Sequence, residues 1–466
     1  MKINRKNAQI ILDAGLATGA DYAEIYVQDH RSSSYSRRYQ KVNAVTGKRS
    51  CGVGIRLMKG VKQVYGYTSD FSFRALLDLA SSLALGFDGE RIKTAAPLKA
   101  KKVRSLNPIK IPHDAWSAEQ KLSYLKAGED AAFSVSEKVK DVITRLFEED
   151  EDIEVFTSEG LDVKDTRCRT RLFTISIASD GKQFQQGYEG PGRSKGLEFL
   201  EETDFVALSR KVAQVAVDML SASDGPSGEM PVVIGNGFGG VLFHEACGHP
   251  LEGSAICRHT SPFSEKLGTK IASDIVNAYD DGTIENAWGS ESVDDEGNAP
   301  TKNHLISDGV LTNYMLDRYT ARRIDPTLLP TGSCRRESYR YLPTTRMTNT
   351  YIDNGTSDPK DIVASVKDGI YCQGFTGGQV DPSTDQFIFT SDVAYTIHDG
   401  KIGHLIKPVS LIGYGYEILQ RITMVGNDLR RGPGVCGAAS GSCFVEVGQP
   451  TILISKILVG GAGGNE

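Results

Sequence analysis

His244-Glu245-Ala246-Cys247-Gly248-His249-Pro250-Leu251-Glu252-Gly253, entered from the apolar, glycine-punctuated run Pro231 to Phe243, governs how the rest of this sequence is read. A strand passing into a Gly-rich turn and a short helix would set His244 and Glu245 on a buried element. A histidine beside a glutamate, with a second histidine about one turn later, is the pattern of a metal site carrying its own general base. In the common zinc-peptidase helix the two histidines are four residues apart, roughly 40° around the axis on one face. Here the spacing is five, which on a regular helix gives roughly 140° and no shared face. The pair meets only if the helix widens into a π-bulge or ends before the second histidine. Gly248 and Pro250 flank His249 and both oppose a continuing helix. The expectation is therefore His244 on the last regular turn and His249 where the chain leaves it. Taken by itself, the pair is suggestive and not decisive, since it is also readable as two satisfied core or surface histidines.

A catalytic zinc takes three protein ligands and keeps one open position. Nearby candidates for the third are Glu252, which also suits a supporting position behind a ligand, and His259, which reads as a polar loop residue. Far away, Cys436 lies in Gly432-Pro433-Gly434-Val435-Cys436-Gly437, a backbone-permissive loop able to bring a thiolate close to a metal. Cys443 opens a strand-like run and reads as a buried, inert thiol. The residues alone lean towards Cys436 and leave the choice open.

Bulk properties bound the rest. With 466 residues the chain exceeds one comfortable core, so two or three domains are expected. Net charge is −6 with no long basic run, which argues against nucleic acid as the main partner. Eight cysteines, without a Cys-x-x-Cys pair, point to reduced thiols. The start, Met1 to Lys6, leads into an amphipathic stretch, not the apolar core of a secretory leader, and no run approaches transmembrane length. The expected compartment is the cytoplasm.

Taken in order, residues 6–18 have helical spacing, Tyr22 to Gln28 reads as a strand, and Arg31 to Tyr39 as a second strand or a loop. Gly52 to Met58 and Val64 to Thr68 form a hairpin around Lys59-Gly60, and Asp70 to Leu85 is helical. Residues 1–88 thus make an N-terminal α+β domain, and 89–116, with the Lys/Pro-rich stretch Ala95 to Pro112, a linker. A central α+β domain, 117–222, opens with a helix capped at Ser117 and running to Lys138. It continues as a meander of strands, Asp141 to Glu149, Asp152 to Thr157, Thr170 to Ser179 and Gln183 to Tyr188, with a helix over 203–220. Acidic Glu148 to Asp152 is read as a solvated turn and not as a metal cluster. After the boundary Ser221 to Gly228, residues 228–466 form a β-rich domain that opens with the metal motif. It includes a short helix starting at Asp358-Pro359 and strands at Gly369 to Phe375, Gln386 to Phe389, Ala394 to His398 and Thr451 to Val459. The tail Gly460 to Gly464 is expected to fray. The fold class is α+β, multi-domain, with antiparallel sheets.

Phe243 to Gly253 is similar to the signature of the TldD/PmbA (modulator of DNA gyrase) family of metallopeptidases. The likeness extends along nearly the whole chain. It includes Val293-Asp294-Asp295-Glu296-Gly297, Arg335-Arg336-Glu337-Ser338-Tyr339, Arg346-Met347-Thr348-Asn349-Thr350-Tyr351, Gly377-Gly378-Gln379-Val380, Val435-Cys436-Gly437 and Gly448-Gln449-Pro450. The resemblance implies a TldD-like catalytic member with zinc held by His244, His249 and Cys436. Glu245 would be the general base in hydrolysis of unfolded or flexible peptides. It also implies a homodimer, or a heterodimer with a related non-catalytic subunit; a chain that is itself the non-catalytic binding half is the alternative. Two departures stand out: Ser442-Cys443-Phe444 before the Gly-Gln-Pro strand, and Cys247 inside the motif, a thiol that would compete for the metal or make it oxidation-sensitive.

Overall fold

The strand that opens at Tyr22 does not stop at Gln28. The computed structural model, which describes residues 3–381 and 386–461, is α+β throughout. After α1 (Arg5–Gly15), capped by the Asn4 side chain, β1 (Tyr22–Arg38) runs on through the Ser/Arg-rich segment. It pairs antiparallel with β2 (Lys41–Lys59) from Tyr22↔Met58 to Arg38↔Lys41. β3 (Lys62–Thr68) closes the predicted hairpin, and α2 (Phe73–Ala84) follows, capped by Ser72. Both helices bury one apolar face on the sheet: Ile11, Leu12, Leu76 and Ala80 pack with Ile25, Ile55 and Leu57.

The Lys/Pro-rich stretch read as a linker contains β4 (Lys99–Lys101), which adds in parallel beside Leu161 to Val163. α3 (Ala118–Phe133) starts at a reciprocal capping box between Ser117 and Gln120, then ends at Ser134, short of Lys138. β5 (Val139–Thr157), β6 (Leu161–Ser179) and β7 (Phe184–Glu189) follow. Because β1 pairs with β5, one eight-stranded sheet, ordered β3-β2-β1-β5-β6-β4 with two strands branching from β6, runs through both segments. The acidic run Glu148 to Asp152 is a correction. It lies inside β5, with Glu148, Glu149 and Glu151 buried. Lys121, Arg169 and Arg167 supply a cation to each at 2.8, 3.2 and 3.1 Å, so no solvated turn is needed.

Beyond Ser221 two sheets enclose the main core. In the nine-stranded sheet the strand Gly228–Ile234 lies parallel to Asp368–Cys372 and antiparallel to Ile452–Gly460. Phe375–Asp381 forms one edge of that sheet. In the six-stranded sheet Asn349–Ile352 lies parallel to Gly441–Gln449, which pairs antiparallel with the edge strand Arg430–Ala438. Val232, Ile234, Phe243, Ile352, Phe387, Val447 and Ile454 fill the space between. The short helix expected at Asp358-Pro359 is Pro359–Ala364, capped by Asp358. Of the tail expected to fray, residues 462–464 lie outside the described residues. Cys436 corrects a second expectation: its segment is a strand and not a loop. Pro433 has no N–H to donate, which an edge strand tolerates.

Candidate metal centre

Between the strand Gly228–Ile234 and the first histidine, the chain makes a short 3₁₀ turn, Gly237–Gly240, and one α-helical step, Val241–Phe243. It then widens into a π-turn, His244–Gly248, and tightens into a 3₁₀ turn, His249–Leu251. Of the two ways to bring histidines five residues apart together, the chain takes the widening, and Pro250 in the tightened turn stops it. Two glycines make room. A side chain at Gly240 would lie 2.4 Å from the Gly448 backbone, and one at Gly248 would lie 2.2 Å from the Met347 sulfur. The His244 and His249 rings stand 5.1 Å apart, nearly perpendicular at 80°.

The edge strand brings in the third donor. Cys436 Sγ lies 3.0 Å from His249 Nε2, and donor atoms of His244, His249 and Cys436 all fall within 4.8 Å of one another. Glu245 stands beside them, its carboxylate 3.9 Å from His249 Nε2. The alternatives separate by position. Glu252 sits 3.3 Å from His249 Nδ1, the ring nitrogen facing away from Cys436, where it orients the imidazole. His259 is an exposed residue beside Glu265, outside the cluster. Cys443, opposite Cys436 across the strand pair, is buried, and burial pushes its thiol up to about 11 against the pull of Arg346 and Arg335. Cys247 is buried in the apolar core and is not part of the donor cluster.

Burial, followed by the charges of His249 and Arg346, holds His244 well below the usual histidine range, which keeps its imidazole neutral and able to donate a lone pair. Burial also pushes the Glu245 carboxyl up, with Glu252 adding and His249 opposing. At His249, burial is outweighed by the Glu252 charge and the Cys436 contact, and the net shift is upward.

Two positioning residues carried no assigned role in the sequence, although both lie in the quoted stretch Arg346 to Tyr351. Thr350 Oγ1 meets His244 Nδ1 at 3.1 Å, leaving Nε2 for the cluster. Arg346, fully buried, donates to the carbonyls of Cys436 and Gly441 and to Ser440 Oγ, gripping the hairpin that carries Cys436. Its Nε faces Glu252 at 3.9 Å, so one guanidinium connects the thiol strand to the carboxylate behind His249. Only the signal of a charged residue inside an otherwise apolar and Thr-rich run marks Arg346 in the sequence. A cavity of about 590 Å³ between β7 and the start of the strand Arg430–Ala438 is lined by none of the donors.

Two imidazoles and a thiol converging beside a carboxylate form a donor set for a tetrahedral metal with one position open. A metal-binding protein built over a β-rich frame is the class that this fold and donor set suit. Comparison with known proteins narrows it. Residues 23–85, 111–220 and 227–461 match, in turn, the PmbA/TldA metallopeptidase domain 1, central domain and C-terminal domain. A metalloprotease TldD homolog of Buchnera aphidicola is 34% identical over 473 residues, covering 99% of this chain and 97% of that protein. A zinc metalloprotease TldD homolog of Saccharolobus solfataricus is 24% identical over 355 residues, covering 76% of this chain and 79% of its own. TldE from Thermococcus kodakarensis has the same fold, with TM-score 0.78 at 19% identity over 98% of this chain and 100% of that one. The chain belongs to the PmbA/TldD metallopeptidase family. No described helix is long and apolar enough to cross a membrane.

Proposed function

We propose that this chain is a catalytic member of its family, a zinc peptidase in which His244, His249 and Cys436 hold the metal and Glu245 is the general base. The observation that carries the reading is the convergence of those three donors with the Glu245 carboxylate at their side. Two imidazoles and a thiolate favour zinc over magnesium, calcium or manganese. Zinc, when bound there, supplies Lewis acidity towards a carbonyl oxygen and lowers the pKa of water. Glu245 takes the proton of the attacking water and returns it to the departing amine, and its upward shift brings its affinity for that proton closer to what the task requires. Thr350 and Glu252 hold the two imidazoles in the tautomers that leave Nε2 lone pairs available. The non-catalytic alternative would suit a site short of a donor or a base; that His244, Glu245, His249 and Cys436 are all present in this sequence supports the catalytic reading.

The substrate is unfolded or extended polypeptide, held by main-chain pairing. The edge strand Phe375–Asp381 packs against the π-turn, where an added strand would pass the donor cluster. The working assembly is a homodimer or a heterodimer with a related non-catalytic chain. The compartment is the cytoplasm, in keeping with eight cysteines and no disulfide.

The test pairs metal analysis with turnover. Wild type should carry about one zinc at this centre, lost in a His244→Ala/His249→Ala variant and diminished in Cys436→Ser. Glu245→Gln should keep the metal and lose about 10²- to 10⁴-fold in cleavage of an unfolded peptide. Full activity in that variant would remove Glu245 from the mechanism.

A further inference from the structure

His113, Asp150 and Cys168 come together at the eight-stranded sheet, and their donor atoms, none of them shared with the centre just described, also fall within 4.8 Å of one another. Asp150 on β5 and Cys168 on β6 are direct partners in the antiparallel ladder, so their side chains leave the sheet on the same face. His113, from the 3₁₀ turn His113–Ala115 ahead of α3, lies over them. Cys168 and His113 are buried, and the Asp150 side chain, 36% exposed, opens the cluster to solvent.

Hydrogen-bond accounting at the imidazole leaves a vacancy in charge. Thr170 Oγ1 lies 2.8 Å from the Lys195 carbonyl and 3.1 Å from that of Gly196, and 2.8 Å from His113 Nε2. A hydroxyl has one proton, and the carbonyls only accept, so that proton goes to them. Nε2 must then carry its own N–H and donate to Thr170. In the neutral ring this leaves Nδ1 with a bare lone pair, 3.0 Å from a carboxylate oxygen of Asp150. Two acceptors at that distance repel unless a cation stands between them. The cation is either a second proton, giving an imidazolium–carboxylate pair, or a metal ion.

The thiol decides between them. Cys168 Sγ is 3.8 Å from Nδ1 and 3.7 Å from Nε2, and 3.6 Å from the Lys195 carbonyl. A proton between His113 and Asp150 leaves the sulfur outside the pair, with its S–H given to the Lys195 carbonyl, whereas a metal ion takes all three donors. A zinc-type ion, with bonds of about 2.0–2.3 Å, sets tetrahedral donors about 3.3–3.6 Å apart, against 3.0 Å from Nδ1 to Asp150 and 3.8 Å from Nδ1 to Sγ here. The near-equal sulfur distances place Sγ beside the ring and not on the Nδ1 axis, so binding also turns Cys168 about χ1.

We propose that His113 Nδ1, Asp150 and Cys168 form a second divalent-metal site of structural type, for Zn²⁺ or a cation of similar softness. Imidazole, carboxylate and thiolate are each zinc ligands, and the fourth position faces solvent past Asp150. The metal displaces the thiol proton to solvent, so binding releases a proton and tightens as pH rises. It staples the segment leading into α3 to β5 and β6. Lys121 Nζ already donates to the His113 carbonyl at 2.7 Å, so the staple also holds the first turns of that helix.

The test uses the full chain carrying His244→Ala and Cys436→Ser, so its outcome is independent of the peptidase reading. That chain, loaded with Co²⁺, should retain about one equivalent with thiolate-to-cobalt charge-transfer absorption. Adding Cys168→Ser should abolish the absorption, and chelation should lower Tm in the parent but not in the Cys168→Ser chain. If Cys168→Ser fails to fold by circular dichroism, Asp150→Asn, at the half-exposed ligand, should weaken cobalt binding by about 10- to 100-fold. No cobalt bound in the parent, or absorption unchanged by Cys168→Ser, overturns the site and leaves a protonated His113–Asp150 ion pair.

Discussion

The donor cluster at His244 and the seam between the eight-stranded sheet and the C-terminal unit both bury charge, and they treat it in opposite ways. In the seam Glu24, Glu291, Asp295 and Glu296 each meet an arginine. Glu24 of β1 contacts Arg56 at 2.7 Å and Arg336 at 2.8 Å, and Arg56 continues to Glu296 at 2.6 Å. Arg167 of β6 reaches Asp295 at 2.9 Å, and Glu291 receives both Arg169 and Arg335. Arg336 also lies over the Tyr26 ring, with its guanidinium carbon 4.1 Å from the centroid. Burial by itself would raise Glu24, yet Arg56 and Arg336 pull it below the ordinary carboxylate range, locking it ionised. Around the donor cluster the balance runs the other way: burial lowers His244, and it raises Glu245 by more than the His249 ring 3.9 Å away lowers it. Paired charge fixes geometry; unpaired groups keep protonation states that chemistry can use.

The largest effect that would break this contrast lies in the seam. Arg336→Met leaves Glu24 and Asp295 each short of a cation in a buried place. It should cost about 3–5 kcal/mol of unfolding free energy, read from urea denaturation, with zinc per folded chain unchanged. Loss of zinc at unchanged stability would mean that the seam serves the site directly, and the contrast would fail.

That division also sets how much was legible in the sequence. The strand-forming stretches, the hairpin at Lys59-Gly60 and the caps at Ser117 and Asp358 are local signals, and the structure has each of them. The His-Glu-x-x-x-His spacing required either a widened turn or a helix that ends before His249, and the structure has the π-turn His244–Gly248 followed by a 3₁₀ turn from His249. What local reading cannot supply is a partner distant along the chain. Glu148 to Asp152 looks solvated until Arg167, Arg169 and Lys121 are brought to it by pairing of β5 with β6 and packing of α3. Cys436 looks like a loop residue because Gly-Pro-Gly is permissive, and only pairing with Gly441–Gln449 makes it a strand. Arg346 and Thr350 stay unassigned for the same reason: their partners are 90 and 106 residues away.

A second way to sharpen the contrast is a buried carboxyl with no arginine beside it. Burial pushes Asp280 up to about 7, against the Thr348 N–H that donates to it at 2.7 Å and a weaker pull from Arg335. Its unfolded value is about 3.9, so the folded state holds the proton more tightly. The resulting stability is fully present below that unfolded value and is lost as pH rises towards and through about 7. The slope is about 1.4 kcal/mol per pH unit, or roughly 4 kcal/mol in all as an upper figure. Asp280→Asn keeps the acceptor for Thr348 and removes the titration. The variant should therefore gain on wild type as pH rises from 4 to 8 in urea titrations. Parallel stability curves would show that Asp280 is paired after all, as the seam carboxylates are.

The smallest effect falls closest to the metal donors. Thr350 is on the strand Asn349–Ile352, directly opposite Asp280 in the ladder, and its hydroxyl is the partner of His244 Nδ1. Thr350→Val keeps shape and β-branching, so packing should hold while the imidazole loses the acceptor that selects its tautomer. The ring then spends part of its time with the proton on Nε2, the nitrogen the metal needs. Zinc affinity should fall about 10- to 100-fold, measured by competition with a chelator, with Tm of the metal-free protein moved by little. Thr350→Ser, which restores the hydroxyl without the methyl, should recover most of the affinity. If serine fails where valine fails, the hydroxyl does not suffice without the methyl, and the donor cluster would depend on packing as well as on the hydrogen bond; if valine keeps full affinity, the hydrogen bond plays no part.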